Sequence, residues 1–126
     1  MMGNLAWVGL GGLLGSMARY LCVWGVGRLF PAVQFPYGTL FVNIVGCFVI
    51  GFIGGLAANK QLLTEDGRVF LFTGILGGFT TYSAFGMETF YFLRTAQWNL
   101  ALMNIFLQLV LGIGAVAVGF WLSELV

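Results

Sequence analysis

The sequence predicts an all-α membrane protein of four transmembrane helices, the third broken near its middle. Hydrophobic residues make up 60% of the 126 positions and charged residues 7%, a balance that excludes an ordinary soluble domain. Apolar stretches at Leu5–Leu29, Gly38–Ala58, Val69–Met87 and Leu100–Leu122 fill most of the chain. Each is close to or above the roughly 20 residues a helix needs to cross a hydrocarbon core about 30 Å thick. Within the third stretch, Gly77-Gly78-Phe79-Thr80-Thr81-Tyr82-Ser83 crowds glycines and hydroxyl side chains into mid-span.

These stretches place helices at about 5–29, 38–58, 69–93 and 99–123 of one transmembrane domain covering 1–126. The first holds Arg19 inside and Arg28 near its end, with Trp7 and Trp24 toward its two ends as interface anchors. It lacks a basic n-region and is too long for a cleaved signal, which predicts a retained helix. The second carries no charge, and Asn43, Gly46/Cys47, Ile50 and Gly54 share one of its faces. The fourth is bounded by Trp98 and Trp121, and Asn104, Gln108 and Gly112 share one of its faces. The connections Phe30–Tyr37, Asn59–Arg68 and Glu88–Asn99 are short and leave no room for an extramembrane domain.

The third helix is the irregular one. Each glycine costs about 1 kcal/mol of helix propensity relative to Ala, and Thr is a poor helix former. Hydroxyls also bond to carbonyls one turn back and bend a helix. A break is therefore expected near Gly77–Thr80, where protein or a water-filled cavity must receive the freed backbone groups. Loose carbonyls at such a break suit a cation, and a half-helix N-terminus suits an anion.

Polar side chains at bilayer depth are costly without partners and are functional candidates for that reason. The stripes holding Asn43 and Asn104/Gln108 fit either a narrow polar pathway or hydrogen bonding between helices. Tyr82 and Phe85 share a face, and ring edges carry positive potential that can attract an anion; plain packing is the other reading. Glu88, one turn further on, belongs at the membrane surface or in an aqueous vestibule. Cys22 and Cys47 lie within spans and read as packing residues. With no His and no cysteine pair at ligand spacing, zinc and haem lack ligands.

Basic residues do not choose an orientation. Lys60 and Arg68 fall on one side of the membrane and Arg28 and Arg94 on the other, so the positive-inside bias is zero. That balance fits either insertion decided by the machinery or dual topology with antiparallel pairing. The 20 glycines, including Gly11/Gly15 and the small pair Gly12/Ser16, provide for close helix packing. A chain this short has little interior in which to hide Arg19 and the polar runs, so a dimer is expected.

Together these residues resemble the fluoride channel family, Fluc or CrcB, over nearly the whole chain. Gly11-Gly12-Leu13-Leu14-Gly15-Ser16-Met17-Ala18-Arg19-Tyr20 looks like the family's GxxGxxxRY pattern. Gly38-Thr39-Leu40-Phe41-Val42-Asn43-Ile44-Val45-Gly46 looks like GTLxVNxxG, and Gly77-Gly78-Phe79-Thr80-Thr81-Tyr82-Ser83-Ala84-Phe85 resembles GGxTTFSTF. The resemblance implies an antiparallel homodimer in a bacterial inner membrane with two fluoride pores, and no nucleic-acid partner. It implies a structural sodium ion on backbone carbonyls, here those of Gly77 and Thr80 from both subunits. Asn43 would be a pore amide donor, Phe85 a ring edge facing fluoride, and Ser83 part of a hydroxyl track. Arg19 would hold helices together near the dimer or set a positive vestibule potential. Tyr82 stands where the family usually has phenylalanine, Ala84 replaces a common hydroxyl residue, and Asn104, Gln108 and Gly112 stand where relatives often show Tyr or Ser.

The implied activity is passive, selective fluoride export with no covalent chemistry, hence not an enzyme. The rival from another class is a small multidrug-resistance-type proton-coupled antiporter, which needs an intramembrane carboxylate, normally in the first helix; this first helix has Arg19 and no acid. A non-transporting subunit of a membrane complex is the third possibility.

Overall fold

The computed structural model describes residues 1–60 and 62–126. Among the described residues, four helical spans are long and apolar enough to cross a membrane: Met2–Leu29, Tyr37–Lys60, Glu65–Arg94 and Trp98–Glu124. The first, second and fourth are single helices. The third is composite, so the expected break is present. In chain order the elements are α1 (Met2–Leu29), α2 (Tyr37–Lys60), α3 (Glu65–Arg68), a π-helical stretch Val69–Leu76, α4 (Gly77–Phe79), α5 (Tyr82–Arg94) and α6 (Trp98–Glu124).

Local chemistry sets the ends of these elements. Thr64 caps α3, its hydroxyl accepting from the Gly67 amide at 3.2 Å, with Glu65 and Asp66 in the first turn at the positive end of the helix. Arg28 closes α1 with its guanidinium 4.1 Å from the Trp24 ring centroid. Between α5 and α6 the chain turns sharply: the Gln97 amide donates to the Phe92 carbonyl at 2.8 Å and the Ala96 amide to that of Leu93 at 3.2 Å. This is a Schellman closure, and Ala96 occupies its left-handed position with φ 57°.

The break itself is displaced from the glycine pair. Gly77 and Gly78 remain helical, and the chain becomes extended at Thr80 (φ −82°, ψ 158°) and Thr81 (φ −147°, ψ 114°) before α5 begins. Gly78 serves packing instead: a Cβ there would lie 2.7 Å from the Gly12 carbonyl oxygen and 3.1 Å from the Ser16 amide nitrogen. One turn earlier, a Cβ on Gly74 would lie 2.9 Å from the Gly11 Cα. α1 thus rests backbone on backbone against the π-helical stretch and α4, and the buried residues of α1 are Gly11 and Gly15. On the other side, α2 packs along α6 through Gly51 and Gly119, and Val42 on α2 and Ala101 on α6 are fully buried. Inside lipid, where the hydrophobic effect gives no reason for helices to associate, such close approach supplies the attraction.

Two stability changes follow. Gly74→Val forces a side chain into backbone that cannot yield, and we expect a loss of about 3 kcal/mol, read as a lowered melting temperature in detergent; Gly9→Ala, which meets nothing within 4 Å, should stay near wild type. Ala96→Gly should raise stability by about 0.5–1 kcal/mol in the same assay, because glycine adopts the left-handed conformation without a Cβ clash.

Candidate functional site

The extended Thr80–Thr81 linkage interrupts the i-to-i+4 ladder and frees backbone groups at mid-span, and the sequence supplies a replacement partner for several of them. The Thr80 amide and hydroxyl both donate to the Leu76 carbonyl, at 3.0 and 2.9 Å. The Thr81 side chain caps α5, accepting from the Ala84 amide at 3.2 Å. Arg19 reaches across from α1 and donates through Nη1 to the Thr80 carbonyl at 3.2 Å. Asn43, from α2, binds the Thr81 peptide at both ends: its Oδ1 accepts from the Thr81 amide at 2.7 Å, and its Nδ2 donates to the Thr81 carbonyl at 3.0 Å.

Asn43 Nδ2 also donates to Gln108 Oε1 on α6 at 3.1 Å, so one amide ties α2, the break and α6 together. The Nε2 of Gln108 is buried and has no protein partner among the described residues. Beside this chain of amides lies a cavity of about 300 Å³ lined by Asn43, Gly46, Cys47, Ile50, Thr80, Thr81, Tyr82, Phe85, Gln108 and Leu109. The rings of Tyr82 and Phe85 on its wall are 5.7 Å apart between centroids and tilted by 57°. The first turn of α5, the positive end of a 13-residue helix, opens beside it. Amide donors, ring edges and a helix N-terminus are groups that suit a small anion.

The structure therefore brings Asn43, Tyr82, Phe85 and Gln108 around one cavity. The other expected site residues lie elsewhere. Ser83 is exposed on the turn, its hydroxyl 3.4 Å from that of Thr81. Asn104 is 0% exposed and donates to the Thr89 hydroxyl at 3.0 Å, its own Oδ1 unpartnered among the described residues, away from the cavity lining. Glu88 accepts from the Thr39 hydroxyl, and it lines two further cavities toward the Phe30–Tyr37 connection, of about 200 and 500 Å³. One of its oxygens is buried without a partner among the described residues. Gly77 is exposed, and its carbonyl has lost its usual i+4 donor because the Thr81 amide turns to Asn43.

Three contributors acquire individual roles only in the structure. Thr81 is the cap of α5, Thr39 the partner of Glu88, and Thr89 the partner of Asn104. Spacing held a signal for two of them, since Thr39 stands four residues before Asn43 and Thr89 four after Phe85, each pair on one helix face.

The fold and this site define a small multi-pass helical membrane protein with a polar cavity at a helix break. More particularly, the chain belongs to the CrcB-like protein, Camphor Resistance (CrcB) family, whose model matches residues 6–120. Among its relatives, a protein of Sorangium cellulosum named fluoride-specific ion channel FluC is 47% identical over 105 residues, 82% of this chain and 81% of the relative. Proteins with the same name from Helicobacter pylori strain G27 and Helicobacter acinonychis are each 42% identical over 123 residues, 94% of this chain and 91% and 93% of theirs.

Removing the Asn43 amide should expose the cost of the break. Asn43→Ala leaves both ends of the Thr81 peptide unpaired at bilayer depth, and we expect a loss of about 2–4 kcal/mol in thermal unfolding, against about 1 kcal/mol for Thr81→Val, which removes only a cap.

Proposed function

We propose that this chain is a fluoride-specific channel that carries the ion passively out of the cell, with the cavity at the third-span break as part of its path. The observation that carries this reading is the convergence of Gln108, the Tyr82 and Phe85 rings and the α5 N-terminus on one cavity, in a chain whose relatives are named fluoride-specific ion channels. A fluoride ion entering this space would trade its water shell for amide hydrogens and ring edges, and pore width together with donor strength would discriminate against larger halides. The guanidinium of Arg19 adds positive potential at the break without lining the cavity. A cell holding a negative-inside potential would drive the anion outward. This is transport, with no bond made or broken. The antiporter alternative would rest its proton coupling on Glu88, since the first turn of α1 holds no acid and its charged members are basic.

The working unit in this reading is an antiparallel homodimer in the bacterial inner membrane, with residues 1–126 as a single domain. Balanced basic residues at the two membrane faces support it. So does Tyr82, which at 84% exposure places a phenol at mid-span where hydrocarbon would leave its hydroxyl unpaired. A partner copy would cover it. A structural sodium ion fits the same junction: the Gly77 carbonyl lacks a helical donor, and Arg19 occupies one of the two lone pairs of the Thr80 carbonyl. Neutral carbonyl oxygens suit a hard cation, and two from each copy would hold it.

Purified protein in liposomes should release fluoride rapidly without a proton gradient and retain chloride. Phe85→Ile, which replaces a ring edge by an alkyl group, should slow fluoride release by about tenfold, the equivalent of roughly 1.4 kcal/mol. Drug exchange coupled to a proton gradient, with no fluoride release, would favour the antiporter instead.

A further inference from the structure

Glu88 is the one acid of α5, and it takes no part in the amide chemistry at the break. The Thr39 hydroxyl, itself buried, donates to its Oε1 and fixes one end of the carboxylate. The other oxygen, Oε2, is covered and has no partner among the described residues. A carboxylate only accepts, so a covered oxygen calls for a donor or a positive charge. Among the described residues no basic side chain lines either of the two cavities that Glu88 borders. Arg28, at the same end of α1, lays its guanidinium on the Trp24 ring instead.

The smaller of those cavities, about 200 Å³, is walled by Phe30, Phe35 and Tyr37 together with Glu88 and Thr39. The Phe30 and Phe35 rings lie 4.9 and 5.0 Å from that of Tyr37, centroid to centroid. Ring faces carry negative potential, so rings and carboxylate favour the same sign of charge in the space between them. The walls also say what kind of cation suits it. A hard metal ion asks for about six oxygen ligands, and this lining offers three oxygen-bearing side chains among carbon. A guanidinium-type ion is weakly hydrated, stacks on aromatic rings and presents flat N–H donors to a carboxylate. The volume lies below the roughly 300 Å³ at which drug-sized sites begin, which limits the occupant to a few heavy atoms.

We propose that the pocket between Glu88 and the Phe30–Phe35–Tyr37 wall is a binding site for a small organic cation of the guanidinium or alkylammonium class. The cation stacks on the rings and donates to Oε2, giving the carboxylate its counter-charge. This goes beyond the fluoride reading and does not depend on it, because binding is read without transport.

The probe is methylguanidinium chloride, followed by proton NMR on purified protein in detergent. We expect saturation transfer from protein to its methyl group and an upfield shift of that signal from the ring currents. Glu88→Gln, which keeps size and an oxygen for Thr39 but has no charge, should weaken binding about tenfold or more. Phe30→Leu, at a position 47% exposed, should weaken it several-fold and shrink the upfield shift. Sodium chloride at equal concentration should not displace the probe. Absence of saturation transfer in wild-type protein, or unchanged binding by a folded Glu88→Gln, overturns the proposal, as does displacement by equimolar sodium. If Glu88→Gln does not fold, Phe30→Leu decides: an undiminished upfield shift there removes the aromatic wall from the site and the proposal with it.

Discussion

Hydrocarbon offers no hydrogen bonds, and this constraint governs the third span. A chain that becomes extended at mid-membrane must find a partner for each peptide group it frees, at a cost of several kcal/mol for any left over. At Thr80–Thr81 the partners come from three directions. The threonine hydroxyls serve their own span, Arg19 serves from α1, and Asn43 serves from α2. Asn43 is suited to its place because a primary amide presents a donor and an acceptor side by side, the same pair that a peptide group exposes when its helix is interrupted. A carboxylate at this position, which only accepts, could not satisfy both the amide and the carbonyl of Thr81.

The glycine contacts make that repair possible. Arg19 reaches the Thr80 carbonyl because α1 lies directly on the π-helical stretch and α4, an approach that any Cβ at Gly74 or Gly78 would prevent. On the opposite flank, α2 and α6 close through Gly51 and Gly119, which brings Asn43 and Gln108 within one hydrogen bond. Packing and polar chemistry are thus coupled: small residues set the distances between helices, and those distances decide which polar groups can pair. Helix association through close backbone contact and the satisfaction of the break are two aspects of one arrangement.

Much of the architecture was legible from the sequence, because span length and charge content are local properties that need no knowledge of neighbours. The interruption of the third span was legible too, and of the two causes named for it, glycines and hydroxyls, it is the threonines that leave the helix. Gly77 and Gly78 stay helical because α1 and the π-helical stretch support that backbone, while the threonines, whose hydroxyls can substitute for ladder bonds, take the extended conformation. The partnerships across helices were less accessible. A span that is apolar all round carries little information on its rotation about its own axis, so Asn104 and Gln108 looked equivalent by spacing. In the structure they meet different neighbours, because one helical turn carries Gln108 to Asn43 on α2 while Asn104 faces Thr89 on α5.

This separation bears on how the polar residues divide their work. Asn104 and Thr89 lie in the contact between α5 and α6, where a hydrogen bond orients the second half of the broken span. Arg19 and Glu88 lie outside the cavity lining, one on the Thr80 carbonyl and the other against Thr39. The cavity itself is left with neutral dipoles and ring edges. For an anion that must enter and leave quickly this is the favourable allotment, since a guanidinium in direct contact would hold the ion and a carboxylate would repel it. In the proposed reading, a positive charge one peptide group away would lower the energy of entry, while neutral amides would receive the ion in terms it can readily exchange for water on the other side.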